Sequence, residues 1–294
     1  MSAHRSGFIN IIGSPNVGKS TLMNALVGER LSIITSKAQT TRHRILGFVN
    51  EEDYQMVFSD TPGIIDPAYK LQESMMDFVR SAFDDADILV YMVEMGEKTL
   101  KDPQFFKKLE QAVAPLLLLI NKIDTGDQER LNAAVTHWSE QLPRAEIFPI
   151  SALEGFGVSQ VMQRLKELLP LGPAYFPKDQ LTDKTERFVV SEVIREKILL
   201  NYDKEIPYAV EIQVESFKES DTIIHIGAII LVERDTQKGI LIGHQGKGLK
   251  RVGTEARKDL EQFFAKKIHL EMHVKVSKNW RSDDNLLRRF GYQG

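Results

Sequence analysis

The stretch Gly13-Ser14-Pro15-Asn16-Val17-Gly18-Lys19-Ser20 lies directly behind the apolar run 8–12, and Thr21 opens a helical pattern after it. Its G-x-x-x-x-G-K-[ST] spacing predicts a loop between a strand and a helix that wraps phosphate groups. The two glycines let the backbone turn tightly enough for N–H groups to point inward, and Lys19 adds a mobile cation for the β- and γ-phosphates. Ser20 is placed to ligate Mg²⁺, and the start of the following helix aims its positive end at the same anion. A nucleoside triphosphate is the expected ligand.

Working outward, residues 1–170 alternate short apolar runs with longer helical patterns, which predicts a mostly parallel sheet wrapped by helices. Five strands are expected at 8–12, 54–59, 88–93, 116–120 and 146–150, with helices between them, among them 19–26, 71–83 and 158–169. Pro170, Gly172, Pro173 and Pro177 then break the pattern. The expected organisation is a nucleotide-binding domain at 1–172, a linker at 173–185 and a second domain at 186–294. That second domain reads helix, strand, strand, helix, helix, strand. Its helices are expected at 187–200, around 240–242 and at 249–264. Its last strand sets Ile268, Leu270, Met272, Val274 and Val276 against His269, Glu271, His273 and Lys275.

Two further segments fall at the ends of predicted strands. Asp60-Thr61-Pro62-Gly63 closes the run 54–59, where an acidic side chain can hold Mg²⁺ through a water and Gly63 can bring its N–H to the γ-phosphate. Asn121-Lys122-Ile123-Asp124 closes the run 116–120. The Asp124 carboxylate can accept from N1 and the exocyclic amine of guanine, a donor pair that adenine lacks. Asn121 can tie this loop to the phosphate loop, and the Lys122 stem can cover the base. Ser151-Ala152-Leu153, after the last strand, can offer backbone N–H groups to the guanine oxygen. Guanine is favoured over adenine.

The composition agrees with an ordinary globular protein: 294 residues, 42% hydrophobic and 27% charged. The absence of cysteine excludes disulfides and thiolate metal sites, which fits a reducing compartment. No apolar run approaches the roughly 20 residues that span a bilayer, and no signal sequence is read, so a cytoplasmic protein is expected. The net charge of −3 hides an uneven spread. Residues 238–294 carry 13 basic and 6 acidic side chains, which points to an anionic partner, nucleic acid or a membrane surface. Within them, Gly243-His244-Gln245-Gly246 followed by Lys247, Lys250 and Arg251 has the form of a loop that presses its backbone on a sugar-phosphate chain.

The four segments of the first domain resemble the translation-factor-like branch of P-loop GTPases, and the second domain resembles a type II KH domain. The whole chain is similar to the Era family of GTPases. The likeness rests on the phosphate loop with Pro15-Asn16, on Lys37-Ala38-Gln39-Thr40-Thr41-Arg42, and on Val232-Glu233-Arg234. It continues through Gly253-Thr254-Glu255-Ala256-Arg257-Lys258-Asp259 and ends with Arg289-Phe290-Gly291-Tyr292. The resemblance implies an α/β fold with a mostly parallel six-stranded sheet, followed by an α+β KH domain. It implies slow GTP hydrolysis, with GTP or GDP and Mg²⁺ as ligands and Lys19, Thr41 and Gly63 acting at the transferring phosphoryl group. Mg²⁺ falls to Ser20, Asp60 and a switch threonine, Thr41 or its neighbour Thr40. Ile64 follows Gly63 where Ras-type GTPases place a water-orienting glutamine, so water must be aligned otherwise; K⁺ bound near Asn16 is the candidate. The implied partners are single-stranded RNA near the 3′ end of 16S ribosomal RNA and the 30S particle. Assistance of small-subunit assembly by a monomer, with peripheral attachment to the inner membrane in some members, completes the implied picture. The alternative is a membrane-associated GTPase that regulates the cell cycle through its basic C-terminal domain.

Overall fold

The computed structural model describes residues 4–99 and 102–292, so the outermost residues of both expected domains lie outside the described ones. Two compact units are present. One gathers the described residues up to Ala68 with Gln72–Asp183, and the other takes Tyr69–Leu71 with the described residues from Lys184 on.

In the first unit, β1 (Arg5–Gly13) runs parallel to β3 (Tyr54–Asp60) on one side and to β4 (Ile88–Glu94) on the other. Next come β5 (Leu116–Asn121) and β6 (Glu146–Pro149), both parallel. The last member, β2 (Ile45–Asn50), pairs antiparallel with β3, which gives the order β2-β3-β1-β4-β5-β6. Every residue of β5 is buried and so is all of β4 except Glu94, as strands covered on both faces require. The covering helices are α1 (Lys19–Val27), most of α2 (Lys70–Asp84), α3 (Pro103–Gln111), α4 (Gln128–Gln141) and α5 (Val158–Leu168). On α2 the buried side chains Met75, Met76, Val79 and Ala82 recur at helical spacing. The strand order reverses at β1, and the carboxyl ends of β1, β3, β4 and β5 meet at one edge, the usual place for a ligand in an open α/β sheet.

The apolar runs predict five of these strands and the resemblance implies a sixth, which is β2; α3 and α4 are additional to the helices named from the sequence. The breaker-rich segment after α5 stays with the first unit as far as Asp183. Gln55 accepts from the N–H groups of Tyr175 and Phe176 at 2.7 and 3.0 Å and donates to Phe176 O at 2.8 Å. The Phe176 ring stacks on Phe48 of β2 at 4.3 Å, and Thr182 donates to Leu46 O.

The second unit begins with α6 (Glu186–Asn201), which Thr185 caps by accepting from Phe188 N. A three-stranded sheet follows, β7 (Glu211–Glu219) antiparallel to β8 (Ile223–Val232) and β8 parallel to β9 (Lys267–Val276). The parallel pair is joined through α7 (Asp235–Ile242) and α8 (Lys247–Phe264), and α9 (Asp284–Arg289) ends the unit. Helix α7 starts earlier than the expected 240–242, because Gln237 accepts from Glu233 N and Arg234 N and fixes its first turn. One sheet face, with Ile224, Ile226, Ala228, Ile230 and Val232, packs on Val190, Ile194 and Ile198 of α6 and Val252, Ala256 and Leu260 of α8. Helix α6 also buries four charged side chains: Arg195 pairs with Glu192 through Nε and Nη2, at 2.8 and 2.5 Å, and Lys197 with Glu196 at 3.0 Å.

Candidate nucleotide pocket and nucleic-acid groove

At the sheet edge of the first unit the backbone of residues 13–18 takes a form that only small side chains allow. Gly13 has φ 154°, and a Cβ there would lie 2.2 Å from Met92 O; Gly18 has φ 104°, and its Cβ would meet Asn121 Nδ2 at 2.3 Å. Asn16 is left-handed at φ 63°. Lys19 curls back over this loop, donating to Gly13 O at 3.1 Å and Ser14 O at 2.8 Å. Its ammonium is buried, and burial pulls its pKa down to about 8 although the carboxylates of Asp60 and Glu97 oppose the shift. A buried cation held by carbonyl oxygens, with its charge form destabilised, is a site prepared for an anion.

Ser20, Thr41 and Asp60 converge beside it. Ser20 Oγ donates to Asp60 Oδ2 at 2.7 Å and lies 3.0 Å from Thr41 Oγ1, which donates to the same carboxylate oxygen at 3.3 Å. Thr40 points elsewhere: its hydroxyl bonds Lys37 O and lies 2.6 Å from Thr35 Oγ1. Asp60 Oδ1 is buried and accepts no close hydrogen bond, and burial pushes the carboxyl up against the Ser20, Ser32 and Thr41 hydroxyls and the charge of Lys19. An unsatisfied buried carboxylate oxygen flanked by two hydroxyls is a hard oxygen donor set, so these residues fit Mg²⁺.

Behind Asp60, Thr61 donates to Ile11 O at 2.7 Å and Pro62 follows. Gly63 lies against the phosphate loop so closely that a Cβ would meet Pro15 Cα at 2.6 Å. Ile64 donates its N–H to Gly13 O at 3.1 Å and buries its side chain.

Asn121 joins three loops: Nδ2 donates to Val17 O at 2.7 Å and Oδ1 accepts from Ala152 N at 2.9 Å. Lys122, left-handed at φ 62°, pairs with Glu94 at 2.5 Å. The cavity among these loops measures about 720 Å³. Pro15, Asn16, Gly18, Lys19, Ser20 and Thr21 form one wall, Asn121, Lys122, Asp124, Ser151 and Leu153 another, and Thr40, Thr41 and Gly63 close it. Gly13, Ser14, Val17, Asp60, Thr61, Pro62, Ile64, Ile123 and Ala152 stand behind that lining. Glu94, Thr125 and the segment Ile33, Ile34, Thr35 and Ser36 before Gln39 also line the cavity and were missed as site residues; the position of Glu94 at the carboxyl end of β4 was the available signal.

In the second unit, residues 243–246 form a tight turn between α7 and α8. Gly243, Gln245 and Gly246 have φ of 72°, 50° and 76°, and Gly246 N bonds Gly243 O at 3.1 Å. Beside it a groove of about 380 Å³ runs between α8 and β9, with Gly246 and Lys250 at one end. Leu249, Gly253, Thr254, Arg257, Leu270 and Met272 complete its lining, none of them foreseen. Leu249, Gly253, Thr254 and Arg257 recur at helical spacing along α8 and Leu270 and Met272 face them from β9, and Gly253 is small because a Cβ would meet Met272 Cε at 2.8 Å. His244, Gln245 and Lys247 sit at the loop itself, outside the lining. Arg251 turns away and donates to Asn201 O at 3.3 Å.

These two sites on these two folds define a P-loop GTPase that carries a KH domain. Residues 8–122 match the family model described as a 50S ribosome-binding GTPase, and residues 205–281 match the KH domain model. Solved structures that resemble the chain over 99% of its length include a variant of Era from Aquifex aeolicus bound to GDP·AlF4⁻, with a TM-score of 0.92. Another is Era in complex with MgGDPNP and nucleotides 1506–1542 of 16S ribosomal RNA, with a TM-score of 0.94. Both are 34% identical to this chain and are covered over 100% of their length. The chain belongs to the Era family of GTPases. Among the described residues no helix is long and apolar enough to cross a membrane.

Proposed function

We propose that this protein binds GTP with Mg²⁺, hydrolyses it to GDP and phosphate, and uses the nucleotide state to control how its KH unit holds single-stranded ribosomal RNA. The convergence of Ser20 and Thr41 in one pocket with Lys19 and Asp124, backed by the buried Asp60 carboxylate, carries the reading. Solved Era structures with guanine nucleotides and with a 16S RNA segment support it. Bound Mg²⁺ neutralises charge on the β- and γ-phosphate oxygens. Ser20 and Thr41 present hydroxyl oxygens to that position and Asp60 supplies the carboxylate behind them. Lys19 and the inward N–H groups of residues 13–20 stabilise charge as water attacks the γ-phosphorus. Gly63 lets the segment after β3 close on Pro15. Because Thr41 belongs to the segment between α1 and β2, loss of the γ-phosphate releases that segment.

Asp124 accepts from guanine, Lys122 lies along the base, and Ser151 and Leu153 line the base side of the cavity. The N–H groups of Ser151 and Ala152, expected to face the guanine oxygen, are held instead by Phe156 O and Asn121 Oδ1. Asn16 donates to Ser36 O at 2.8 Å, which leaves its amide oxygen to face a K⁺ ion that would supply the positive charge Ile64 cannot. In the KH unit, Gly243, His244, Gln245 and Gly246 press on the sugar-phosphate chain, Lys247, Lys250 and Arg251 add positive charge, and the groove between α8 and β9 takes unstacked bases. The physiological task assigned to this switch is assistance of 30S assembly by a monomer. The test is RNA affinity for a 3′-terminal 16S segment with a non-hydrolysable GTP analogue and then with GDP. A clear difference is expected; equal affinities overturn the switch, and competition of RNA by anionic vesicles would favour the membrane alternative.

A further inference from the structure

The turn after β4 carries a carboxylate, Glu97, that takes no part in the chemistry proposed for the pocket. Glu97 N bonds Glu94 O at 3.0 Å, and Gly96 closes the turn at φ 104°, a conformation that favours glycine. The Glu97 carboxylate faces inward: one oxygen accepts from Ser14 Oγ and the other from Glu94 N at 3.3 Å. Around it stand Lys19, the Tyr91 hydroxyl and Glu94, and burial pushes its carboxyl up while the Ser14 hydrogen bond and the Lys19 charge oppose this. Ser14 is thereby gripped twice, by Glu97 at its hydroxyl and by Lys19 at its carbonyl, 2.8 Å away. The same turn reaches the loop after β5, through Met95 N to Asn121 O at 3.1 Å and through Glu94 to Lys122.

We propose that Glu97 is a positioning residue of the phosphate loop. Through the Ser14 hydroxyl it holds the loop in its anion-ready form, from a turn whose other contacts fix the base-reading loop. The inference rests on guanine nucleotide being the ligand. Neither Glu97 nor Ser14 lines the cavity, so Glu97 acts through Ser14 and not on the phosphates. Its loss leaves the first peptide of the loop to be ordered at the moment of binding, a cost shared by GDP and GTP because it lies in the loop and not in the switch.

The experiment titrates fluorescent GDP and a non-hydrolysable GTP analogue into the full chain and into Glu97→Ala, Glu97→Gln, Ser14→Ala and the Glu97→Ala/Ser14→Ala double variant. Glu97→Ala and Ser14→Ala are each expected to weaken both nucleotides by about tenfold, the loss of a charge-assisted hydrogen bond. The double variant is expected to be no weaker than the weaker single one. Glu97→Gln should stay within about threefold of the parent, since its amide oxygen still accepts from Ser14. Additive losses, a harmless Glu97→Ala, or a Glu97→Gln as damaging as Glu97→Ala would overturn the assignment. Failure of the parent protein to bind either nucleotide would instead refute the guanine-nucleotide reading.

Discussion

Asn121→Ala is the sharpest test of how the nucleotide pocket is assembled. The side chain is buried and satisfies two backbone groups of different loops, Val17 O at 2.7 Å and Ala152 N at 2.9 Å. Truncation removes two hydrogen bonds, each worth about 0.5–1.5 kcal/mol net, and strands a buried N–H and a buried C=O at about 1–3 kcal/mol each. Water entering from the adjoining cavity recovers part of that penalty, so about 2–4 kcal/mol is the expected loss. Because Asn121 already joins the three loops before nucleotide binds, its loss leaves them to be ordered on binding, which carries the penalty into affinity: about 30- to 1,000-fold for GDP and for a GTP analogue alike. Gly18 adds a steric element, since its Cα sits where only a hydrogen clears Asn121 Nδ2, and without the amide the loop has no stop at that point. Equilibrium titration with fluorescent GDP, with a thermal melt of the nucleotide-free protein as control, measures the effect. GDP affinity within threefold of the parent would refute the idea that Asn121 assembles the site.

Asp124→Asn should weaken GDP about a hundredfold and improve xanthosine diphosphate, whose C2 oxygen accepts where guanine donates; unchanged guanine preference in competition binding would refute the base assignment. Lys19 has its pKa pulled down to about 8 in the empty site, and the nucleotide binds the charged form. Binding therefore takes up a proton above about pH 8 and affinity falls about tenfold per pH unit beyond it, until the raised bound-state value is passed; calorimetry in buffers of different ionisation enthalpy detects the uptake. Gly253→Val puts carbon into the groove against Met272, and should lower affinity for a 3′-terminal 16S RNA segment more than tenfold while GTP hydrolysis without RNA is unchanged. Glu192→Ala leaves the buried Arg195 without its bidentate partner, and urea denaturation should show the KH unit destabilised by about 3–5 kcal/mol.

The motifs at strand ends were legible because each pairs an apolar run with a short polar signature, as in Leu116–Asn121 followed by Lys122 and Asp124. Strand β2 escaped because its pattern is broken by Gly47, whose reason is tertiary: a Cβ there would meet Met23 Cε at 2.7 Å and Leu31 Cδ1 at 2.8 Å. Helix α4 escaped because Trp138 is its one buried side chain, too few to set a period. The choice between Thr40 and Thr41 had no answer in adjacent, chemically identical residues; only the fold shows which hydroxyl meets Ser20 and Asp60. The KH groove was invisible for a similar reason, since Gly253 and Met272 become neighbours only once α8 lies along β9. Glu97 likewise gains meaning from the turn that carries it back to Ser14.

The inward-facing hydrocarbon of Ile64 has one more consequence. A GTPase that orients its own water carries an internal timer, and each molecule resets at its own pace. Here the residue in that position is committed to packing, with its amide fastened to Gly13, and under the proposed function the waiting time in the loaded state would pass to a cation or macromolecule that approaches the pocket. Such a protein measures the arrival of its surroundings, not elapsed seconds.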